Sequence, residues 1–175
     1  QDIIDYFENG LGDINYEVLL INDFSVDDTL EKSKNLFKNK EKFKIFDNET
    51  KGLGGAINLG IEKSVGSKIT IMMADLSDDI NDLKKYVRII DEKNVDAVLG
   101  SRFMKDSVVQ DYPIQKLILN RMFNFFVSVV FLNKYNDYTN AFKIYKKGAL
   151  MTMMPFVSES FNIFLEIPLK IISRN

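Results

Sequence analysis

The chain contains no cysteine and no histidine. These two absences exclude a Ser-His-Asp triad, a thiolate nucleophile, a zinc site built on histidine or cysteine, and any disulfide. Any catalysis must therefore use carboxylates, amines, guanidinium groups and a metal ion bound through oxygen. A cysteine-free chain agrees with a cytosolic protein but is also common among exported domains, so the compartment stays open.

Proline is scarce and neither sign of charge dominates. The sequence has 3 prolines, and its 23 Lys+Arg against 25 Asp+Glu give a net charge of −2. This balance excludes the strongly basic surface of a nucleic-acid-coating protein, and we expect no nucleic-acid partner. With 46% hydrophobic residues in 175 positions, the chain can bury a full core, and residues 1–175 are expected to form a single domain.

Long apolar runs are also missing. The longest apolar stretch, Met122 to Leu132, is interrupted by Asn124 and Ser128. It is far shorter than the roughly 20 residues that a transmembrane helix needs, and no signal peptide is recognised. The first residue is not methionine and the last apolar pattern is still running when the sequence stops, so we expect the chain to be incomplete at both ends.

The first half of the sequence alternates short apolar strands with helical periods. Strands are expected over residues 17–22, 43–47, 68–73 and 96–100, and helices over 28–38, 55–63 and 79–93. Such a βαβ series predicts an α/β fold with a mostly parallel sheet, whose strands are buried by helices on both faces. The second half predicts a helix over 114–132, a strand over 141–145 and a helical pattern over 161–172, which Pro168 either opens or kinks.

Polar residues follow three of these strands, at the sheet edge where ligands of open α/β sheets gather. They are Asn22, Asp23 and Ser25 after the first strand, Asp75 after the third, and Arg102 after the fourth. Two carboxylates beside cations suit a metal-bound diphosphate, because Mg²⁺ or Mn²⁺ needs only one or two carboxylates when phosphate oxygens complete its coordination. Asp78 and Asp79 are better interpreted as the cap and first turn of the next helix.

A glycine-rich turn follows the second strand. Lys51, Gly52, Gly54 and Gly55 lie just before a helix, where unpaired peptide N–H groups and the positive helix end favour an anion. The turn matches neither the GxGxxG nor the Walker pattern, so an ordinary tight turn explains the glycines equally well.

Arginine is rare, with four residues at positions 88, 102, 121 and 174 in a lysine-rich chain. A retained arginine favours bidentate phosphate recognition. Arg102, at a strand end, is the strongest candidate. Arg121 lies in a helical stretch, where a solvated surface role is an equally good interpretation.

Five segments occur in a recognisable order, namely residues 17–29 (EVLLINDFSVDDT), 51–56 (KGLGGA), 73–79 (MADLSDD), 100–103 (GSRF) and 137–145 (DYTNAFKIY). Together they resemble family 2 glycosyltransferases of the polyprenyl (dolichyl) phosphate mannosyltransferase type, and the resemblance spans almost the whole chain. It implies the Rossmann-like GT-A fold. It also implies inverting transfer of a hexose from a nucleotide-diphosphate sugar, with Mg²⁺ or Mn²⁺, usually to a polyprenyl phosphate at the cytoplasmic membrane face.

The resemblance assigns roles position by position. It implies nucleotide-sugar contacts at Asn22, Asp23, Ser25, Lys51, Gly52 and Asp75. Asp75 corresponds to the last Asp of the DxD-type metal and diphosphate motif, and Arg102 and Arg121 correspond to cations that hold phosphates, so these three are the expected catalytic residues. Asp137, Thr139, Asn140 and Lys143 correspond to the acceptor-side motif.

Some positions depart from the family pattern. The usual first strand, with its Pro-x-Tyr-Asn-Glu-type nucleotide contact, is absent, and the chain opens inside what resembles the following helix. Met73 replaces the first Asp of the metal motif, and Phe24 replaces a Gly. The C-terminal acceptor loop is missing too. Asp75 is therefore expected to be the only clear metal carboxylate.

Three other functions stay open. They are a family 2 glycosyltransferase that acts on a saccharide, a nucleotide-sugar-binding module that has lost turnover, and a receiver-type signalling domain. The receiver is disfavoured because it would be complete soon after Gly100, which leaves residues 137–145 without a role. No dedicated general base is evident, which favours an acceptor that is already anionic, such as a lipid phosphate.

The apolar helix after Arg121 is expected to be mostly core. Its apolar residues surround it on nearly all sides, which is wider than the stripe of a simple surface helix. A lipid acceptor must nevertheless reach the site. We therefore expect part of this helix, with the apolar segment after Phe161, to rest at a membrane surface or against a transmembrane region.

Overall fold

The computed structural model describes residues 2–75, 77–105, 107 and 113–174. Along this part of the chain, seven helices alternate with five strands. The helices are α1 (Asp2–Gly10), α2 (Thr29–Phe37), α3 (Leu53–Lys63), α4 (Ile80–Glu92), α5 (Ile114–Val130), α6 (Lys147–Met151) and α7 (Ile163–Ile172). The strands are β1 (Val18–Asn22), β2 (Phe43–Asp47), β3 (Lys68–Ile71), β4 (Ala97–Leu99) and β5 (Lys143–Lys146).

The described strands form two sheets. β1 and β2 pair in parallel, and β5 lies between β3 and β4 and is antiparallel to both. The predicted α/β class is confirmed, and β3 and β4 run in the same direction, as the βαβ series requires. The sheet is nevertheless less uniformly parallel than expected, because a strand from the second half of the chain separates β3 from β4.

Two strands end earlier than the sequence pattern predicts. The strands expected over 68–73 and 96–100 stop at Ile71 and Leu99, and both of these residues pair with Lys143. Because β5 begins at Lys143, neither strand has a ladder partner beyond that point. The residues that follow are thereby released into loops at this edge of the sheet.

The core consists of two apolar clusters on opposite faces of β5. One cluster joins α3, α6 and α7 and includes Tyr145, and the other lies beneath α4 and includes Ile144. Side chains alternate between the faces of a strand, so β5 is buried on both sides. By contrast, β3 and β4 are only partly buried, although Ala97 and Leu99 pack against one cluster and Val98 packs against the other. Pro168 lies inside α7 and is fully buried.

The α5 helix is largely uncovered. Only Asn124 and Val127 are buried within it. Its apolar side chains, continuing just past its end, are between 41% and 94% exposed, namely Met122, Phe123, Phe125, Phe126, Val129, Val130, Phe131 and Leu132. The predicted core role is therefore wrong for most of them, because the described elements cover only a narrow stripe of the helix. Within the described ranges, none of the helices combines the length and apolarity that a membrane crossing requires.

Candidate active site

The end of β1 and the glycine-rich turn form a first polar group. The carboxylate of Asp23 accepts hydrogen bonds from Asn48 Nδ2 at 2.8 Å and from the Gly52 N–H at 2.9 Å. Gly52 precedes α3 and has φ +114°, a backbone conformation that favours glycine. The positive end of α3 therefore already faces a carboxylate of the chain itself.

Close backbone packing explains a second glycine of this turn. A Cβ on Gly54 would lie 1.9 Å from the Ser158 carbonyl oxygen, and the Gly54 N–H donates to the Glu159 carbonyl at 3.1 Å. With the Gly52 and Gly54 N–H groups both engaged, the predicted anion contact at this turn is weakened. Lys51 is exposed beside it.

The loop after β1 is anchored by Asn22. Its Nδ2 donates to Asp47 Oδ1 at 2.8 Å, and its Oδ1 accepts from the Ser25 N–H at 3.4 Å. Phe24 has φ +56°, in the left-handed region that glycine adopts most easily. The family pattern has a glycine at this position. Here Phe24 adopts the same kind of backbone conformation, at a cost in strain.

The end of β3 carries a second polar group around two carboxylates. Asp75 is exposed, and the Ser77 N–H that donates to it at 3.0 Å lowers its pKa. Asp78 is half-buried, and burial, followed by the charge of Asp75, raises its pKa to about 6. The positive charge of Arg102 acts on Asp78 in the opposite direction. Leu76, within the same motif, lies outside the described residues.

The helix-cap interpretation holds for only one of the two carboxylates next to this loop. Asp79 is the N-cap of α4 and accepts from the Asn81 N–H at 2.8 Å. Asp78 makes no such cap. Its Oδ2 atom is buried and has no hydrogen-bond partner among the described residues.

Asp75 and Asp78 together fit a divalent metal ion that is shared with phosphate oxygens. An orphaned carboxylate oxygen beside an exposed carboxylate is a suitable donor set for Mg²⁺ or Mn²⁺, with ligand or water oxygens in the other positions. In the described part of the chain, no group of three or more acidic side chains surrounds one point. The protein would thus supply at most these two carboxylates, one more than the sequence indicated.

Arg102 is held by a buried carboxylate of the chain. Its Nε and Nη2 atoms donate to the two oxygens of Asp137 at 2.9 and 2.7 Å, and its peptide N–H donates to the same carboxylate at 2.8 Å. Nη2 also donates to Thr139 Oγ1 at 3.0 Å. Asp137 is 0% exposed. The planar fork predicted for a phosphate is therefore directed at Asp137.

The remaining acceptor-side residues also hold the loop before β5. Lys143 is 0% exposed, and its Nζ donates to the carbonyls of Tyr138 and Phe164 at 2.8 and 3.0 Å and to that of Asn140. Burial lowers the pKa of Lys143 to about 7. Asn140 Nδ2 donates to the Gly100 carbonyl at 3.1 Å. Asp137 and Lys143 are both fully buried in this arrangement and hold the loop in place, and their acceptor-side role stays a prediction.

A cationic cleft with an aromatic wall lies beside this network. Two guanidinium groups lie close to the Phe103 ring, with Arg102 at 5.6 Å and Arg121 at 5.3 Å from its centre. The cleft has a volume of about 180 Å³ and is lined by Phe103, Arg121, Phe125, Ser128, Lys134, Tyr135 and Asn136. Sequence reasoning missed Phe103 and Lys134. The sequence did offer one indication for Lys134. Positions 113–136 contain no acidic residue, so a cation in this segment has no acidic partner within the segment itself.

The two polar groups lie on different sheets. The Asp23 group belongs to the β1–β2 sheet, and the Asp75 and Arg102 group follows β3 and β4. No hydrogen bond or ion pair links Asp23 to Asp75 within the described ranges, so their convergence on one ligand stays a prediction.

Residues 5–153 match the family model described as glycosyl transferase family 2. The match covers most of the chain, and the chain belongs to this family.

Two curated relatives and one solved structure show how far the similarity extends. The chain is 26% identical over 121 residues to the dolichol-phosphate mannosyltransferase of Pyrococcus furiosus, covering 69% of this chain and 34% of the relative. It is 25% identical over 146 residues to the glycosyltransferase AglD of Haloferax volcanii, covering 83% of this chain and 23% of the relative. The chain thus spans about a third or less of these relatives. The crystal structure of S. aureus TarS has a TM-score of 0.57 at 22% identity, over 87% of this chain and 45% of that one, and supports the fold alone.

Arg102→Lys should destabilise the fold because lysine keeps the charge but cannot form the planar contact that two guanidinium nitrogens make with the buried carboxylate of Asp137. We expect the free energy of unfolding to fall by about 2 kcal/mol. The matched control is Arg121→Lys, where the exposed contact with Phe103 is worth at most about 1 kcal/mol. Urea denaturation of the three proteins measures the difference. Equal losses in both variants would contradict the central role of the Arg102–Asp137 pair.

Asp78 should make stability depend on pH. Its pKa is raised from 3.8 to about 6 in the folded state. The folded state therefore binds the proton more tightly than the unfolded chain, so this stabilisation is complete below about pH 4 and is lost as the pH rises through about 6. Asp78→Asn should remove that loss, whereas Asp13→Asn, at an exposed site, should retain it. The free energy of unfolding of each protein is measured by denaturation below about pH 4 and above about pH 6. If the difference between Asp78→Asn and the wild type is the same at both pH values, the raised pKa of Asp78 is rejected.

Proposed function

We propose that this domain transfers a hexose from a nucleotide-diphosphate sugar to a polyprenyl phosphate, with inversion at the anomeric carbon and with a divalent metal ion. The observation that carries the proposal is the adjacency of two sites of opposite character. The Asp75–Asp78 carboxylates suit a metal-bound diphosphate, and the cleft at Arg121 and Lys134 suits a second phosphate. Phe103 and Arg102 connect the two sites.

The donor would bind along the ends of β1 and β3. Asn22 and Asp23 would face the nucleoside, with Ser25, Lys51 and Gly52 around it. Asp75 and Asp78 would hold the metal ion against the diphosphate. When bound, Mg²⁺ or Mn²⁺ would offset the negative charge that develops on the departing nucleoside diphosphate.

Arg102 would act on the donor site through position and charge. Its guanidinium is oriented by Asp137 and Thr139, and its charge favours the ionised form of Asp78. An ionised Asp78 is the form that binds a cation. Thr139, Asn140 and Lys143 would support this arrangement by fixing the loop that carries Asp137.

The acceptor would enter from the α5 side. Arg121 and Lys134 line the cleft, and Phe125 belongs both to the cleft and to the exposed apolar face of α5. A phosphate in the cleft would thus have an apolar surface next to it, which fits a lipid phosphate better than a saccharide. A phosphate acceptor is already ionised at neutral pH and needs no general base.

The relative named dolichol-phosphate mannosyltransferase supports the same acceptor class. We infer that residues 1–175 act as one catalytic domain and that it works at the cytoplasmic face of a membrane. A nucleotide-sugar-binding domain without turnover is the second candidate, and Met73 in the metal motif is the observation that favours it.

Asp75→Asn should abolish metal-dependent turnover without unfolding the protein, because the side chain is exposed and contributes little packing. The thermal shift produced by a nucleoside diphosphate with Mn²⁺ should disappear in this variant, while the melting temperature without ligand should stay unchanged. Glu62→Gln, at an exposed position on α3, is the control. A full Mn²⁺-dependent shift in Asp75→Asn would reject the metal assignment, whereas a normal shift of the wild type without turnover would favour the binding module.

The uncovered face of α5 should bind membranes. Flotation with equimolar phosphatidylcholine and phosphatidylglycerol vesicles should recover the wild-type protein, and pure phosphatidylcholine should recover less, because the exposed cations Arg121 and Lys134 line the cleft next to this face.

Replacing both Phe125 and Phe126 with serine should abolish flotation. Val65 and Val157 are exposed elsewhere, at 78% and 77%, and their double serine variant should float normally. If the wild type fails to associate with either vesicle, the membrane proposal is wrong.

A further inference from the structure

A segment shortly before α7 packs against the glycine-rich turn. We call residues 156–159 the bracing segment. The Glu159 carbonyl oxygen accepts from the Gly54 N–H at 3.1 Å, and a Cβ on Gly52 would lie 2.9 Å from the same oxygen. The Ser158 carbonyl oxygen lies so close to Gly54 that any side chain is excluded there. The shape of the turn therefore depends on where the bracing segment is held.

The turn is also bonded to the residues that follow β1 and β2. The Gly52 N–H donates to the Asp23 carboxylate at 2.9 Å. Asn48 Nδ2 donates to the same carboxylate at 2.8 Å and to the Thr50 carbonyl at 2.6 Å. A displacement of Gly52 would remove one of these bonds from Asp23. The bracing segment can therefore act on Asp23 through the turn.

Only the first residue of the bracing segment is buried. Phe156 is 4% exposed, whereas Val157 is 77% exposed and Glu159 is also exposed. An exposed stretch with few apolar contacts opens locally at a low cost in free energy unless its backbone is held by polar contacts. Two side chains supply such contacts, namely those of Asn58 and Glu166.

Glu166, on α7, contacts two successive peptide groups of the bracing segment. Its carboxylate accepts from the Val157 N–H at 3.0 Å and from the Ser158 N–H at 2.8 Å. Lys170, one turn further along α7, lies 2.7 Å from the same carboxylate, and the Glu166 side chain is only 11% exposed. Burial opposes the ionisation of Glu166, but these hydrogen bonds outweigh it and lower its pKa to about 2. Hydrogen bonds to an ionised carboxylate are among the strong ones, so the segment is firmly held.

Asn58, on α3, holds the same segment at its first residue. Its Nδ2 donates to the Phe156 carbonyl at 2.9 Å, and its Oδ1 accepts from the Phe156 N–H at 3.1 Å. The bracing segment is thereby fixed both to α7 and to the helix whose first residues form the turn.

We propose that Glu166 is a positioning residue for the donor site, which it orders through the bracing segment, the glycine-rich turn and Asp23. This inference rests on the proposed function, in which Asp23, Lys51 and Gly52 surround the nucleoside. The Glu166 carboxylate is directed at peptide N–H groups and at Lys170. A carboxylate engaged in this way is a weak base, which separates Glu166 from a catalytic role.

The chain contains a matched control for this carboxylate. Glu17, just before β1, accepts from the N–H groups of Val65 and Gly66 at 2.6 and 3.1 Å and from Lys44 at 3.0 Å. Its side chain is 15% exposed. Glu17 thus has the same kinds of partner as Glu166, but it lies where β1 begins, whereas the donor site follows the end of that strand.

The test compares Glu166→Gln with Glu17→Gln in two measurements. Hydrogen exchange at the Gly54 amide, measured without ligand, should be about tenfold faster in Glu166→Gln, because the loosened segment no longer keeps its carbonyl on this N–H. It should be unchanged in Glu17→Gln. Calorimetric titration with UDP and with GDP, each with Mn²⁺, should show an affinity about tenfold lower in Glu166→Gln and the wild-type affinity in Glu17→Gln.

A second variant reaches the bracing segment from α3. Asn58→Ala removes both bonds to Phe156 and leaves Glu166 intact. It should also speed exchange at Gly54 and weaken nucleotide binding. This variant decides the question if Glu166→Gln does not fold.

The contrary outcomes have distinct meanings. Equal Gly54 exchange in Glu166→Gln and the wild type would overturn the inference. Faster exchange with unchanged nucleotide affinity would also overturn it, since the turn would then not position the donor. Equal losses of affinity in both glutamine variants would leave Glu166 with a structural role only. If the wild type binds neither UDP nor GDP, the proposed function is rejected, and the donor role of Glu166 with it.

Discussion

The ion pair between Arg102 and Asp137 connects the two halves of this chain, and the arrangement of the site depends on it. A carboxylate that is 0% exposed is tolerable only when its charge is compensated and its oxygens are hydrogen-bonded, and Arg102 does both through two side-chain nitrogens and its peptide N–H. This contact fixes the loop after β4 to the loop before β5. Lys143 then secures the same loop to α7 through the Phe164 carbonyl.

This network separates residues that hold the site from residues that are exposed to a ligand. Asp137 and Lys143 are internal, whereas Asp75, Arg121 and Lys134 are accessible. The exposed charged groups also lie in two separate places. The carboxylates follow β3, and the cations line the cleft beside Phe103. A cavity of about 490 Å³, lined by residues of β1 and β3, lies between the sheet that carries Asp23 and the sheet that carries Asp75.

Much of the architecture was predictable because it depends on local patterns. The strand over Phe43–Asp47 has the predicted bounds, and α3 and α4 lie within two residues of theirs. Five ordered segments were enough to indicate the family, which the family model confirms over residues 5–153. The roles of individual residues were less predictable. Asp78 was interpreted as a helix cap, and only its burial and its orphaned oxygen distinguish it from Asp79.

By itself, then, the sequence determined the α/β class, the order of helices and strands, and the family, because periodicity and motif order are properties of neighbouring residues. The tertiary structure decided what depends on distant partners. An apolar helix pattern records hydrophobicity but not what covers it, so the exposure of Phe125 and Phe126 could not be read from α5 alone. Likewise, the insertion of β5 between β3 and β4, and the binding of Arg102 by Asp137 rather than by a phosphate, join residues that are far apart in the chain.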